Sequence, residues 1–295
     1  MIKFVASVAL LSLVGFRPPQ AQHLSPDDRA LTVKLLRETG ICHPQDPCVV
    51  TMQKILELKA AAETTEQWQP VPAKVMPGAG SGDAPSDAIV LFDGTNLDQW
   101  VSANDQLPAR WPVRDGVLSV DKGLGNIETK RHFKNYQMHV EWRIPRDVHG
   151  TGQERGNSGL FLASTGPGDA GYEIQILDSW NNPTYVNGQA ASVYKQSPPL
   201  VNASRPAGDW QSYDLVWIAP KFGADGSLMS AASLTLFHNG VLVQDHVRLS
   251  GETVFIGKPA YHPYERAAVK LQAHRDPSPS PTPSVDFRNI WIREI

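Results

Sequence analysis

From Ala88 onward the chain is a succession of short runs in which apolar and polar residues alternate, separated by Gly, Pro, Asn, Asp and Ser. AIVLFDG, GVLSV, YQMHVEWRI, SGLFLAS, YEIQILD, QSYDLVWIA, ASLTLFHNGVLVQDHV, AVKLQAH and VDFRNIWIREI each have the length and the β-branched or aromatic content of a strand. His238-Asn239-Gly240 interrupts one long run with residues that tolerate positive φ, which predicts a tight hairpin. No glycine-rich loop follows a strand and opens a helix, as a nucleotide-binding α/β fold requires. About two hundred residues of antiparallel strand predict an all-β fold, a single β-sandwich over 88–295.

The pattern ahead of Ala88 has a different period. Ser25-Pro26-Asp27-Asp28 has the form of an N-cap followed by Pro and acids in a first turn, and Leu31, Leu35 and Leu36 follow at helical spacing. Gly40 ends that helix, and Val49, Met52, Ile55 and Leu56 begin a second, so residues 23–68 predict a small helical hairpin. Residues 69–87, rich in Pro, Gly, Ser and Ala, have the composition of a linker. At the N-terminus Lys3 precedes an apolar run from Phe4 to Phe16 and a break at Pro18-Pro19. That run is too short to span a bilayer and fits the core of a signal peptide over residues 1–22. The expectation is an exported protein, periplasmic or extracellular, with no integral membrane segment in the mature chain.

Composition narrows the function classes. Charged residues make up 19% and hydrophobic ones 41%, ordinary for a globular protein. The net charge of −3 and the absence of a long basic run argue against a nucleic-acid partner. Two cysteines, Cys42 and Cys48, bracket HPQDP; in an exported protein they most simply form a disulfide.

The strands carry the candidate chemistry. His139, Glu141 and Arg143 alternate with Val140, Trp142 and Ile144; Glu173 and Gln175 alternate with Ile174 and Ile176; Gln272 and His274 alternate with Leu271 and Ala273. With a period of two, each strand offers one apolar and one polar face. Faces of Glu, Arg, Gln and His suit a ligand groove better than a solvated surface. Asp178 has the wrong parity to join Glu173 on a regular strand, and a bulge near Leu177 would bring it round. Two carboxyls on one face, roughly 5–5.5 Å apart, are what a retaining glycosidase needs. The plain alternative makes Asp178 the first residue of the turn DSWNNP.

LFDGTNLDQW, GNSGLFL, GYEIQILD, VYKQSPP, GDWQSYDLV, FHNG, LQAH and VDFRNIWI fall in an order that resembles the 3-keto-disaccharide hydrolase domain family over roughly residues 88–295. The resemblance implies a jelly-roll sandwich of the concanavalin A-like lectin and glucanase type and a small sugar as substrate. GYEIQILD also looks like a variant of the Glu-x-Asp-x-x-Glu signature of laminarinase-like glycosidases, with Gln175 and Asp178 replacing its second and third acids. That departure counts against an ordinary double displacement. A ketone at C3 instead acidifies the C2 proton, so a base can remove it, the C1 oxygen can leave, and water can add back. That route needs a base, an acid and a donor or cation for the enolate.

Glu173, Asp178 and His274 are the catalytic candidates, with Asp178 or His274 as base. Arg143, or a divalent metal bound by His274 and Glu173, would hold the enolate; cofactor use is otherwise unknown. Glu141, Arg143, Asn157, Gln175, Lys195 and Gln272 are the expected substrate contacts. Asn157 is supplied by the approach HGTGQERGN, and the loop DPSPSPTPS after Arg275 would lie over one rim of the groove. The competing reading is a non-catalytic carbohydrate-binding module of the same fold, with Trp111, Trp180 and Tyr185 as stacking platforms. A structural domain whose helical hairpin docks a partner is a third.

Overall fold

The computed structural model describes residues 25–45, 47–275 and 283–295. The expected signal peptide and most of the DPSPSPTPS loop lie outside the described residues. The chain divides into two compact units, Met1–Lys74 and Val75–Ile295.

The first unit holds two helices, α1 (Pro26–Glu38) and α2 (Met52–Glu63). The Ser25 hydroxyl accepts the Asp28 N–H at 3.1 Å, and Pro26 and two acids fill the first turn. Those residues satisfy free amides and favour the positive end of the helix dipole. Thr51 caps α2 in the same way, accepting the Lys54 N–H. Cys42 and Cys48 form a disulfide in the segment between the helices.

The second unit is a β-sandwich whose strands are β1 (Ile89–Phe92), β2 (Trp100–Ser102), β3 (Val113–Arg114), β4 (Val117–Ser119), β5 (Ile127–Thr129), β6 (Tyr136–Arg143), β7 (Ser158–Ser164), β8 (Gly171–Ile176), β9 (Trp210–Ile218), β10 (Lys221–Phe222), β11 (Leu228–Ser230), β12 (Ser233–His238), β13 (Val241–Arg248), β14 (Ala268–Leu271) and β15 (Asp286–Glu294). The larger sheet runs β13-β12-β9-β6-β15-β4-β3, with β1 also paired to β15; the smaller runs β2-β5-β14-β7-β8; β10 and β11 form a separate hairpin. All pairings are antiparallel. Asn239 and Gly240, both at positive φ, make the two-residue turn between β12 and β13 that the sequence predicts.

Alternation decides which residues meet between the sheets. Tyr136, Met138, Val140 and Trp142 of β6, with Tyr213, Leu215 and Trp217 of β9, pack with Leu160 and Leu162 of β7, Ile174 and Ile176 of β8, and Val269 and Leu271 of β14. Burying such side chains stabilises by about 1.5–3 kcal/mol each. Two tyrosines also cross the core with polar tips: Tyr136 donates to the Leu162 carbonyl at 2.6 Å and Tyr213 to the Gln175 carbonyl at 2.8 Å.

The expected linker ends early, because residues 75–87 are part of the sandwich unit rather than a free tether. Met76 and Ser86 close a loop with two hydrogen bonds, and the Gly82 carbonyl accepts from Asn289 Nδ2 and Trp291 Nε1, both at 2.8 Å. Arg293 holds Asp87 at 2.7 Å. Under this strap His139 stacks on Trp291, with Nδ1 2.6 Å from Asp214 and Nε2 3.5 Å from Glu141. A Cβ at Gly82 would sit 3.1 Å from the His139 Nε2, so the close approach favours glycine.

Burial opposes a charge on His139, yet Asp214 and then Glu141 outweigh it and raise its pKa above the ordinary 6.5. A raised histidine pKa stabilises the fold fully below pH ~6.5, and that contribution is lost as pH rises through the folded value. The melting temperature should therefore fall faster with pH in the native protein than in His139→Gln. Parallel pH–melting curves for the two would overturn this assignment.

Candidate active site

The outer face of the smaller sheet carries two polar rows, set by register. Glu128, Lys270, Phe161 and Glu173 are cross-strand neighbours along one row, and Gly159 pairs with Gln175 in the next, where the Gln272 N–H bonds to the Gly159 carbonyl. Between these rows the residues Ile127, Leu271, Leu160 and Ile174 turn inward to the core. The groups that alternation picks out on β8 and after β14 therefore share one surface.

That surface forms a pocket of about 150 Å³ lined by Asn157, Asp169, Glu173, Gln175, Tyr194, Thr253, Phe255, Gln272 and His274. Glu173 is 5% exposed, and burial, followed by the charge of Asp169, pushes its carboxyl up to about 8. A carboxylic acid in such a place stays protonated at neutral pH and can donate a proton. Its carboxyl lies over Gly159, where a Cβ would meet Oε1 at 2.5 Å. The missing side chain at Gly159 is thus what gives Glu173 its room.

Lys270 is a neighbour of opposite design. It is fully buried, and its ammonium donates to the carbonyls of Gly166, Gly168 and Ala170 at 2.7, 2.9 and 3.1 Å while facing the Phe161 ring. All three protons are satisfied, as a buried cation requires. The lysine thereby fixes the loop that carries Asp169, and Asn126 binds that carboxylate at 3.0 Å.

The amides form a second wall. Gln175 Nε2 donates to Asn157 Oδ1 at 3.1 Å, and Asn157 Nδ2 donates to the Gln153 carbonyl at 2.8 Å. Gln272 Oε1 is buried and finds no donor among the described residues. A buried acceptor left unmet costs about 1–3 kcal/mol, so a hydroxyl donor on a ligand would gain by binding there. The edge of β8 is covered by backbone from two loops: the Tyr194 N–H bonds to the Glu173 carbonyl and the Thr253 N–H to the Gly171 carbonyl.

Four expected site residues, Glu141, Arg143, Asp178 and Lys195, lie elsewhere. Glu141 and Arg143 are on β6, in the larger sheet, whose polar face belongs to a different surface from the pocket. There Glu141 pairs with Arg288, and Arg143 pairs with Asp286 and lies over Trp210. Their strand has the same alternation as β8; what separates them is sheet membership. Asp178 does not line the pocket with Glu173 and His274. The ladder of β8 stops at Ile176, Asp178 accepts the Trp180 N–H at 3.1 Å as the turn begins, and Arg155 of the approach loop ion-pairs with it at 2.8 Å. Trp111 is buried with its indole N–H bonded to the Gly125 carbonyl, so it offers no stacking platform, whereas Trp180 and Tyr185 are exposed.

Lys195 lines an adjoining cavity rather than the pocket itself. Asp169, Tyr194, Thr253 and Phe255 escaped the sequence reading. GPGDA and ETVFIGKP are irregular loops without periodicity, although Tyr194 falls inside the segment VYKQSPP. Among the described residues no group of three or more His, Cys, Asp or Glu side chains is placed to hold a metal ion.

A two-sheet jelly roll with an acid- and amide-lined pocket on one sheet has the build of a sugar-cleaving enzyme. Residues 87–293 match the 3-keto-alpha-glucoside-1,2-lyase-like domain, and the chain belongs to that family. A presumed glycosyl hydrolase from Parabacteroides distasonis, known from a crystal structure, is 46% identical; the match covers 79% of this chain and 96% of that one with a TM-score of 0.72. A second such protein from the same organism, at 18% identity and TM-score 0.53, covering 75% of this chain and all of that one, shares the fold. A 3-keto-disaccharide hydrolase from Bacteroides thetaiotaomicron is 26% identical over 151 residues, 41% of this chain and 49% of that one. The chain thus matches about half the length of that curated relative.

The carboxyl of Glu173 ionises near 4.5 in the unfolded chain and only near 8 in the fold. Stability should then fall as pH rises between those values. Glu173→Gln should flatten that part of the curve and stabilise the protein at pH 8–9 by a few kcal/mol, since each pKa unit is worth about 1.4 kcal/mol. Chemical denaturation across pH reads this directly, and a variant no more stable than wild type at pH 9 would refute the buried-acid assignment.

Proposed function

We propose that this protein cleaves the glycosidic bond of 3-keto-glycosides, with 3-keto-disaccharides as the substrate class, by elimination followed by hydration. The observation that carries the reading is a protonated, buried Glu173 lining the same pocket as the His274 imidazole, in a member of this family. The relative named a 3-keto-disaccharide hydrolase supports the substrate class.

The steps balance with these two groups. His274 takes the proton from C2, which the C3 ketone has acidified, and the electron pair forms the C1=C2 bond. Glu173 gives its proton to the glycosidic oxygen as the C1–O bond breaks. Water then adds: Glu173, now a carboxylate, takes a proton from it, hydroxide bonds to C1, and His274 returns its proton to C2. Tyr194, whose phenol burial keeps in its protonated form, accepts from the Tyr185 hydroxyl and is the donor offered to the enolate oxygen. Gln272 Oε1, Gln175 and Asn157 hold sugar hydroxyls. Asp178, tied to Arg155 in the turn, takes no part, which leaves the base to His274. An acid and an imidazole lining one pocket favour an enzyme over a binding module, which needs no proton donor of raised pKa.

We further propose export to the periplasm or the medium. The Phe4–Phe16 apolar run with its Pro18-Pro19 break and the Cys42–Cys48 disulfide support it.

Glu173→Gln and His274→Ala should each lower kcat on a 3-keto-disaccharide by roughly 10²–10⁴-fold, while Glu141→Gln on the other sheet should leave kcat/KM near that of wild type. The unoxidised disaccharide, without an acidified C2 proton, should not be cleaved. Near wild-type rates in both pocket variants, or equal turnover of oxidised and unoxidised sugar, would sink the proposal. Mass spectrometry of the protein recovered from the host periplasm should find an N-terminus near residue 22; an intact Met1 would count against export.

A further inference from the structure

Beside the pocket lies a second cavity of about 410 Å³ that shares two walls with it, Tyr194 and Phe255. Tyr185, Asn187 and Lys195 complete most of its lining. Ligand pockets commonly run to 300–1,000 Å³, so this space is large enough for a second ring beside the one in the smaller pocket. From it we infer that the second cavity is the subsite for the departing hexose of a disaccharide, an inference that rests on the reaction proposed above.

Three observations place the leaving group there. First, the glycosidic oxygen takes its proton at Glu173, and the backbone N–H of Tyr194 is bonded to the carbonyl of that same residue. A ring attached to that oxygen has room to extend past Tyr194 and Phe255, the two walls held in common. Second, aromatic faces stand open: Phe255 is 68% exposed and Tyr185 is 40% exposed, against the usual burial of such groups. Third, the polar groups are spaced between these faces. Lys195, at φ +58°, donates to the Phe255 carbonyl at 2.7 Å and holds its ammonium 4.1 Å from the Phe255 ring centre and 5.7 and 5.9 Å from those of Tyr185 and Tyr194. The hydroxyls of Tyr185 and Tyr194 meet at 2.7 Å.

The mixture selects the ligand. A pyranose presents an apolar C–H face to an aromatic ring and hydroxyls around its rim, which match the Lys195, Asn187 and tyrosine groups. A flat aromatic aglycone would use the rings and leave those polar groups without partners, a loss of the kind that makes polar sites discriminate strongly. The smaller pocket thus takes the keto-sugar and the larger cavity the sugar that departs.

The test compares a 3-keto-disaccharide with methyl 3-keto-glucoside, whose leaving group has no ring. Lys195→Met, which alters the second cavity alone, should raise KM for the disaccharide about tenfold with a smaller change in kcat, and Asn187→Ala should do the same to a lesser degree. Both variants should leave the methyl glycoside within about twofold of wild type in KM, the baseline for unaltered uniform binding. Equal effects on both substrates, or none on the disaccharide, overturn the subsite while the reaction stands. If the wild type turns over neither substrate, the reaction fails, and calorimetric titration of the same two ligands reads the subsite by itself. There, a tenfold loss confined to the disaccharide supports the subsite; unchanged binding, or no binding of either ligand, overturns it.

Discussion

Two tyrosine hydroxyls fix how the sheets of this sandwich face each other. Apolar packing alone holds two layers together with little preference between neighbouring registers, since one methyl group fills space much like another. Tyr136 and Tyr213 remove that freedom, because each must place a buried hydroxyl on a particular carbonyl of the smaller sheet. The carbonyl chosen by Tyr213 belongs to Gln175, so the pocket strand is gripped from behind at the residue beside its acid. A displaced layer would strand a phenol in the core, which is costly. The outer face of β8 is consequently held by the larger sheet.

On that face the same low-polarity surroundings act differently on two charged residue types. Lys270 keeps its ammonium because three carbonyls surround it, and in return it shapes the loop bearing Asp169. Glu173 stands without such a set of donors and beside another acid, so it keeps its proton instead. Neither outcome depends on a change of shape. Both follow from the partners each finds: the lysine meets the carbonyls of Gly166, Gly168 and Ala170, and the acid meets the charge of Asp169.

The alternating strands and the apolar core were legible because a period of two is a local property. Val140, Trp142, Ile174 and Ile176 declare themselves in their own few residues. Which sheet a strand joins is not local: YQMHVEWRI and YEIQILD show the same pattern, yet Glu141 faces Arg288 on one layer and Glu173 faces the pocket on the other. Asp178 was ambiguous for a further reason, since its place depended on where the ladder stopped and on an arginine more than twenty residues away in the chain. Short strands such as β2, β3 and β5 give too few residues for a period to register. Loop residues such as Asp169 and Phe255 have no period at all, and only the folded chain brings them to the acid.

The strap at residues 75–87 alters what counts as the transferable unit of this fold. A boundary drawn where the strands begin would leave Asn289 and Trp291 without the carbonyl of Gly82, and Arg293 without Asp87. The larger sheet would then show its polar furrow bare. In any recombination of this domain with other modules, the Pro/Gly-rich segment ahead of the first strand has to travel as cargo with the sandwich. Composition marks it as a spacer; its hydrogen bonds make it the domain's own hem.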